Sequence, residues 1–354
     1  MPASYETHRR QLELILHAWG MAPPAAASTA EIMSWADLHG IDTHGISMVP
    51  VYDQRRHDGK IDMKAEPVVS RETPVSALVD GQGGLGHSNA RRAMDLAIAK
   101  ARTSGIGVAV VRNSAHFGAC GFYALMAVEA GLIGMVATSA SGIQVAPTFG
   151  AQARLGTDPI AFAAPGRPGE PFLLDMATTT VAAGKIRNKA NENLPTPLGW
   201  LVTAEGKPST DPREVSKGGF MTPLGGTPEG SSHKGYGLSS MVNILSSALS
   251  GATMITDPMH TKRPGTQDIG HFMLALDPGI FRDPKEFRDD VAAFCDTLRA
   301  TKPADPDRPV MVAGEPERRI AAQRLKTGIP VGPGLLAKVR DVALASGAPW
   351  IMTN

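Results

Sequence analysis

The chain has 354 residues, 42% of them hydrophobic and 19% charged, with a formal net charge of +1. That length supports a large core and two or three subdomains, and that balance excludes a disordered chain. A near-neutral charge and only 5% aromatic residues argue against a protein that binds nucleic acid by neutralising phosphates or stacking bases. The 38 Gly and 28 Pro are spread without a period, which implies many turns. Cys120 and Cys295 form no CxxC pair, and the ten histidines show no metal-ligand spacing, so neither a disulfide framework nor a metal site is expected. No signal-like segment opens the chain and no run long enough to span a bilayer occurs; a cytoplasmic protein without a membrane partner is expected.

Residues 6–19 are predicted helical, with Leu12, Leu14, Ile15 and Trp19 apolar and Gly20 as the stop. Ser28-Thr29-Ala30-Glu31 reads as a capping box opening a second helix that Gly40 ends. Asp42-Thr43-His44-Gly45 follows as a loop dense in functional side chains. A strand at 75–80, a glycine-rich turn, a helix at 88–103, a strand at 106–111, a helix at 118–130 and a strand at 132–138 alternate as an α/β chain should. The helix at 88–103 carries an apolar stripe of Ala90, Ala93, Met94, Ala97, Ile98 and Ala101. Short strands at 160–164 and 171–175 and a helix at 180–190 suggest a separate, β-richer subdomain, followed by mostly loop at 209–229. A helix at 234–249, a strand at 271–276 and helices at 284–300, 316–327 and 335–345 close the chain.

Gly81-Gln82-Gly83-Gly84-Leu85-Gly86 matches GxGxxG between a strand and a helix. The next strand ends in Arg112-Asn113 rather than the acid that would bind ribose hydroxyls, so a turn allowing close helix packing is the preferred reading. Two histidines stand in loops suited to chemistry: His44 after a helix end and His116 after a buried strand. An imidazole there can exchange a proton with an alcohol or carbonyl. Leu174-Asp175-Met176 ends a strand with an acid, and Lys234-Gly235 at a helix start forms a candidate anion site. No GxSxG nucleophile elbow occurs.

These segments resemble the type-2 malate/L-lactate dehydrogenase family, also called sulfolactate dehydrogenase-like. The likeness runs through DTHGI at 42–46, DGQGGLG at 80–86, RRAMDLAIAKA at 91–101, VRNSAHFGACGFYA at 111–124, GTDPIAFAAP at 156–165, LLDMATTTVAAGKI at 173–186, HKGYGLSSMVNIL at 233–245, GHF at 270–272 and AGEPE at 313–317. The resemblance implies an α/β, non-Rossmann fold with a mixed sheet and a β-richer NAD(P)-binding subdomain, and an NAD- or NADP-dependent homodimer acting on a small molecule. The implied division is an N-terminal helical part of the substrate and dimer domain (1–75), an α/β core (76–135), an NAD(P)-binding subdomain (136–230) and a return to the core with C-terminal helices (231–354). The implied cofactor contacts are His116, Phe117, Gly118, Ala119, Cys120, Leu174, Asp175, Met176, Lys234, Gly235, Gly314 and Glu315. Acid/base work falls to His44 or His116, with Thr43 supporting His44, and Met48, Tyr52 and Thr157 face the substrate.

Two departures matter. The family loop usually reads HGxxRxPxY, its Arg gripping the substrate carboxylate, whereas here position 48 is Met. A thioether cannot bind a carboxylate. Arg55 and Arg56, one turn on, are the expected replacement cations. The segment Thr138-Ser139-Ala140 departs from the usual Thr-Asn. The expected reaction is hydride transfer between nicotinamide and a hydroxy or keto compound other than malate or lactate. The alternatives are reduction of a cyclic imine or of a keto acid with an amine, and a non-catalytic dinucleotide-binding member.

Overall fold

Helix α1 (Tyr5–Ala18) begins at Ser4, whose hydroxyl accepts a bond from the Thr7 N–H. Helix α2 (Pro23–Leu38) starts well before Ser28. Pro23 and Pro24 sit in its first turn, where a missing N–H costs nothing, and Ala25 to Ala27 extend it. Ser28 therefore lies inside the helix rather than capping it, and Glu31 pairs with Arg91 at 2.5 Å. A loop then leads to α3 (Val49–His57). Leu12, Ile15, Leu16, Met33, Val49 and Tyr52 pack these helices into one apolar cluster with Val339 and Ala343.

The computed structural model describes residues 2–140, 142–256, 263, 265 and 267–352. Strand β1 (Val68–Glu72) forms a hairpin with β2 (Ser76–Gly84), and α4 (Gly86–Ser104) crosses to β3 (Ile106–Ser114). Next come α5 (Cys120–Glu129), β4 (Ile133–Thr138), β5 (Ile160–Arg167), β6 (Glu170–Met176) and α6 (Ala183–Asn191). Three two-residue strands, β7 (Leu201–Val202), β8 (Pro208–Ser209) and β9 (Phe220–Met221), make a small sheet of their own. Helix α7 (His233–Asn243) continues through a π turn at Ile244–Ala248, and β10 (Ile269–Leu276) follows. Helices α8 (Pro284–Arg299), α9 (Glu315–Thr327) and α10 (Pro333–Ala345) come last.

The seven-stranded sheet runs β1-β2-β3-β10-β4-β5-β6. Its β2–β3 pair is parallel and its other neighbouring pairs are antiparallel. It is thus a mixed sheet and not the doubly wound parallel sheet of a Rossmann domain. Strands β5 and β6, expected in a separate subdomain, extend this sheet instead, because β5 pairs with β4 through Gly134↔Ala163 to Ala137↔Ile160. Ala90, Ala93, Met94 and Ala97 of α4 and Tyr123, Ala124 and Ala127 of α5 cover one face against Val79, Val111 and Met273. Val242 of α7 packs the other face against Val110, Ala137 and Phe272. Among the described residues no helix is long and apolar enough to cross a membrane.

The glycine motif is the bulged end of β2. The β2–β3 register shifts between Asp80 and Gly84, and Gly83 adopts φ +75°. Gly86 opens α4 so close to the next loop that a Cβ would lie 2.1 Å from the Ala115 carbonyl oxygen. Gly83→Ala is expected to lower the unfolding free energy by about 1–2 kcal/mol, the cost of a left-handed L residue. Gly86→Ala should cost more, since a backbone carbonyl must move. Urea denaturation checks both, and an unchanged Gly86→Ala midpoint would show that the close approach is dispensable.

Candidate active site

The loops after α2 and β3, the end of β6, the start of α6 and the segment entering α9 surround a cavity of about 680 Å³. Thr43, His44 and Met48 line it from the first loop, and His116, Gly118, Ala119 and Cys120 from the second. Leu174, Asp175 and Met176 line it from β6, and Gly314 from the approach to α9. Thr157 reaches it from the GTDP segment. Residues expected from widely spaced motifs therefore share one wall.

Their positions have local causes. Gly45 and Ile46 turn the first loop over Asp37, a buried carboxylate near the end of α2. Asp37 accepts the Ile46 N–H at 2.7 Å and meets His8 Nε2 of α1 at 3.0 Å. A Cβ on Gly45 would overlap the Asp37 carboxyl at 2.0 Å, so only glycine lets the loop lie this close. Burial pushes Asp37 up, opposed by His8 and the Ile46 N–H. Thr43 Oγ1 lies 2.7 Å from His44 Nδ1 and fixes that ring.

Behind the second loop, Tyr52 places its hydroxyl 2.6 Å from His116 Nδ1. The Gly118 N–H also points at this nitrogen, 3.4 Å away. Nδ1 is thus an acceptor, which assigns the ring proton to Nε2. Tyr52 does not reach the cavity, contrary to its expected substrate contact: it is fully buried beneath His116.

The rings of His44 and His116 lie 5.4 Å apart, and His87 sits 6.5 Å from His116. His271 of β10 completes the group, its Nδ1 2.7 Å from Thr138 Oγ1 and its Nε2 2.9 Å from Ser114 Oγ. Burial pushes His44 below the ordinary imidazole range. His116 is pushed well below it by burial and by neighbouring His44, His87 and Arg55. His87 and His271 are each lowered to about 3, chiefly by burial. All four rings are neutral at pH 7. Asp175 is pushed up to about 6 by burial, opposed by the Gly121 N–H that it accepts at 2.7 Å. Among the described residues no three His, Cys, Asp or Glu side chains converge as metal ligands.

Other expected residues lie elsewhere. Phe117 is buried between Tyr123 and His271, stacked on both. Glu315 accepts from Arg299, Arg319 and the Val312 N–H. Lys234 is exposed and Gly235 packs on Leu224, both outside the cavity lining. Arg55 and Arg56 do not turn toward the cavity: Arg55 reaches Gln267, and Arg56 pairs with Asp53 at 2.7 Å. Sequence reasoning missed Trp35, Gln144, Arg187 and Glu317, which line the cavity. It also missed Asp37, although an acid in the last turn of a helix opposes the dipole and was a signal. Buried Asp158 was missed as well; it accepts from Ala140, Gly156 and Ser239 and so ties the Thr157 loop to α7.

The sequence pattern of the malate/L-lactate dehydrogenase family matches residues 3–340. The chain belongs to the malate/L-lactate dehydrogenase family. It is an oxidoreductase of the dehydrogenase type. The chain is 37% identical over 334 residues to malate dehydrogenase of Pyrococcus horikoshii, covering 94% of this chain and 92% of that protein. It is 33% identical over 338 residues to L-sulfolactate dehydrogenase of Methanocaldococcus jannaschii, covering 95% of each. The crystal structure of malate dehydrogenase from Entamoeba histolytica superposes with a TM-score of 0.93 at 32% identity, covering 99% of both chains. The mixed seven-stranded sheet is therefore the fold of these family enzymes.

His87 has both ring nitrogens buried without a hydrogen-bond partner. Its folded pKa lies near 3, so between about pH 6.5 and 3 the unfolded chain takes up a proton that the folded chain refuses. Its contribution is complete above that window and declines as pH falls. His87→Leu removes this term. Relative to wild type, the variant should gain about 1.4 kcal/mol of stability on going from pH 7.5 to 5.5. Denaturant midpoints at the two pH values measure it; parallel behaviour of both proteins would show that His87 titrates normally.

Proposed function

We propose that this enzyme is an NAD- or NADP-dependent dehydrogenase working as a homodimer, as its family resemblance implies. The observation that carries the reading is the pair of neutral imidazoles, His44 and His116, whose rings stand 5.4 Å apart on the wall of one cavity. The cavity volume lies in the range of cofactor and substrate sites. Its wall offers backbone at Gly118 to Cys120 and Gly314 and a carboxyl at Asp175 that is half protonated near pH 6. Such groups suit a carboxamide-bearing ring, and these residues with Leu174 and Met176 would hold it. The 136–230 section supplies Thr157 and residues 174–176 to this wall, which supports its part in cofactor binding. Lys234 would serve as an outer phosphate contact, away from the cavity.

A bound nicotinamide supplies or accepts the hydride. The chain's own residues handle the proton and the geometry. His116 Nε2–H donates to the substrate oxygen, because its Nδ1 is already engaged by Tyr52. His44, steadied by Thr43, takes the hydroxyl proton as the alcohol is oxidised. A lowered pKa keeps His44 neutral and ready as a base. The rate of oxidation should therefore hold constant above the ordinary imidazole range and fall as pH drops through a value below 6.5. Met48 presents a thioether to the cavity and so offers the carboxylate of malate or lactate no partner on that side.

Titration with NADH and NADPH tests the cofactor. His44→Ala and His116→Ala should each lower turnover more than about 10²-fold while leaving the protein folded. Met48→Arg should raise kcat/KM on malate and lactate. Near-normal turnover in both histidine variants would defeat the mechanism, and efficient wild-type use of malate with no gain in Met48→Arg would defeat the role of position 48.

A further inference from the structure

Among the described side chains lining the cavity, Arg187 is the one guanidinium. Burial holds His44 and His116 below the ordinary imidazole range, and burial, with a smaller push from Glu317, raises Asp175. Arg187 projects from α6, and its guanidinium returns toward the start of that helix. A Cβ built on Gly184 would lie 4.0 Å from Arg187 Nη2 and 3.4 Å from Thr43 Cγ2. The guanidinium and the Thr43–His44 loop are thus neighbours across one glycine.

This arginine is also unengaged. Arg56 pairs with Asp53, Arg318 donates to the Pro171 carbonyl and Arg324 pairs with Asp42. Arg187 makes no ion pair or hydrogen bond with any described residue, and it is exposed. A planar cation with free donors beside an acid/base pair suits bidentate binding of a carboxylate or sulfonate.

We propose that Arg187 binds the anionic group of the substrate, so that the enzyme selects hydroxy and oxo acids over their neutral counterparts through α6. This rests on the dehydrogenase reading above. Substrate enters with its anion at Arg187 and its reacting oxygen between His44 and His116. Because Arg187 approaches from α6 and Met48 from the loop that precedes α3, acid recognition and the apolar wall lie on different elements and can be varied apart.

The test compares wild type, Arg187→Ala and Arg187→Lys on lactate, malate and lactamide, with NADH and NADPH titrated separately by fluorescence. Arg187→Ala should lower kcat/KM on lactate and malate at least about tenfold, the effect of losing a charge-assisted hydrogen bond. Lactamide should change less than about twofold, cofactor affinity should hold, and Arg187→Lys should recover part of the loss. An unchanged acid-to-amide ratio in Arg187→Ala overturns the proposal. So does lost cofactor affinity with intact acid preference, which would place Arg187 on a cofactor phosphate. A wild type that binds neither dinucleotide and oxidises none of these compounds instead defeats the dehydrogenase reading itself.

Discussion

The site depends on one buried carboxylate. Asp37 sits where α2 ends, takes the Ile46 N–H, and faces His8 from α1. Three segments converge on it: the first helix, the second helix and the loop that carries Thr43 and His44. An ionised group in that position is costly unless its partners are in place, so the loop has one well-determined path. Gly45 is what makes the path sterically possible. His44 therefore reaches the cavity from a loop anchored on Asp37.

The second imidazole is held from the opposite direction. His116 follows β3, a strand near the sheet centre, and rests on Tyr52, which belongs to the helical layer. The two imidazoles thus report the relative placement of sheet and helices, and any shift between these layers changes their separation. His87 and His271 add two more buried neutral rings behind them. A cluster of like groups that can each become positive resists protonation collectively, which keeps the proton acceptors empty at neutral pH.

Much of this was legible in the sequence. The stripe on α4 has the helical period, and the apolar run of β3 is of strand length and rich in β-branched residues, so both were found. DTHG and HFGA were singled out because histidines stood next to element ends. Sheet membership was not legible: β5 and β6 read correctly as strands, yet β4, to which β5 bonds, lies beyond an intervening loop that local pattern cannot cross. The start of α2 was misplaced because Ser28 to Glu31 imitates a cap, while the proline pair that does begin the helix looks like a break. Arg187 carried no signal at all, since an arginine on a polar helix is ordinary until its neighbours across the fold are known. Lys234 shows the converse: a good local motif, a lysine at a glycine-rich helix start, that the fold leaves at the surface.

The position of β10 has a consequence for how the chain is made. It lies between β3 and β4 and bonds to both, yet it is the last strand of the sheet to leave the ribosome. Until residues 269–276 arrive, β3 and β4 each present an open edge lined by apolar side chains. The nascent chain must carry these open edges until the segment between β4 and β10 has been made. Closure of the barrier to aggregation then comes in a single late event, when one strand seals both edges and His271 locks to Ser114 and Thr138 on either side. Chains cut short before this strand are the ones a cell must be equipped to remove.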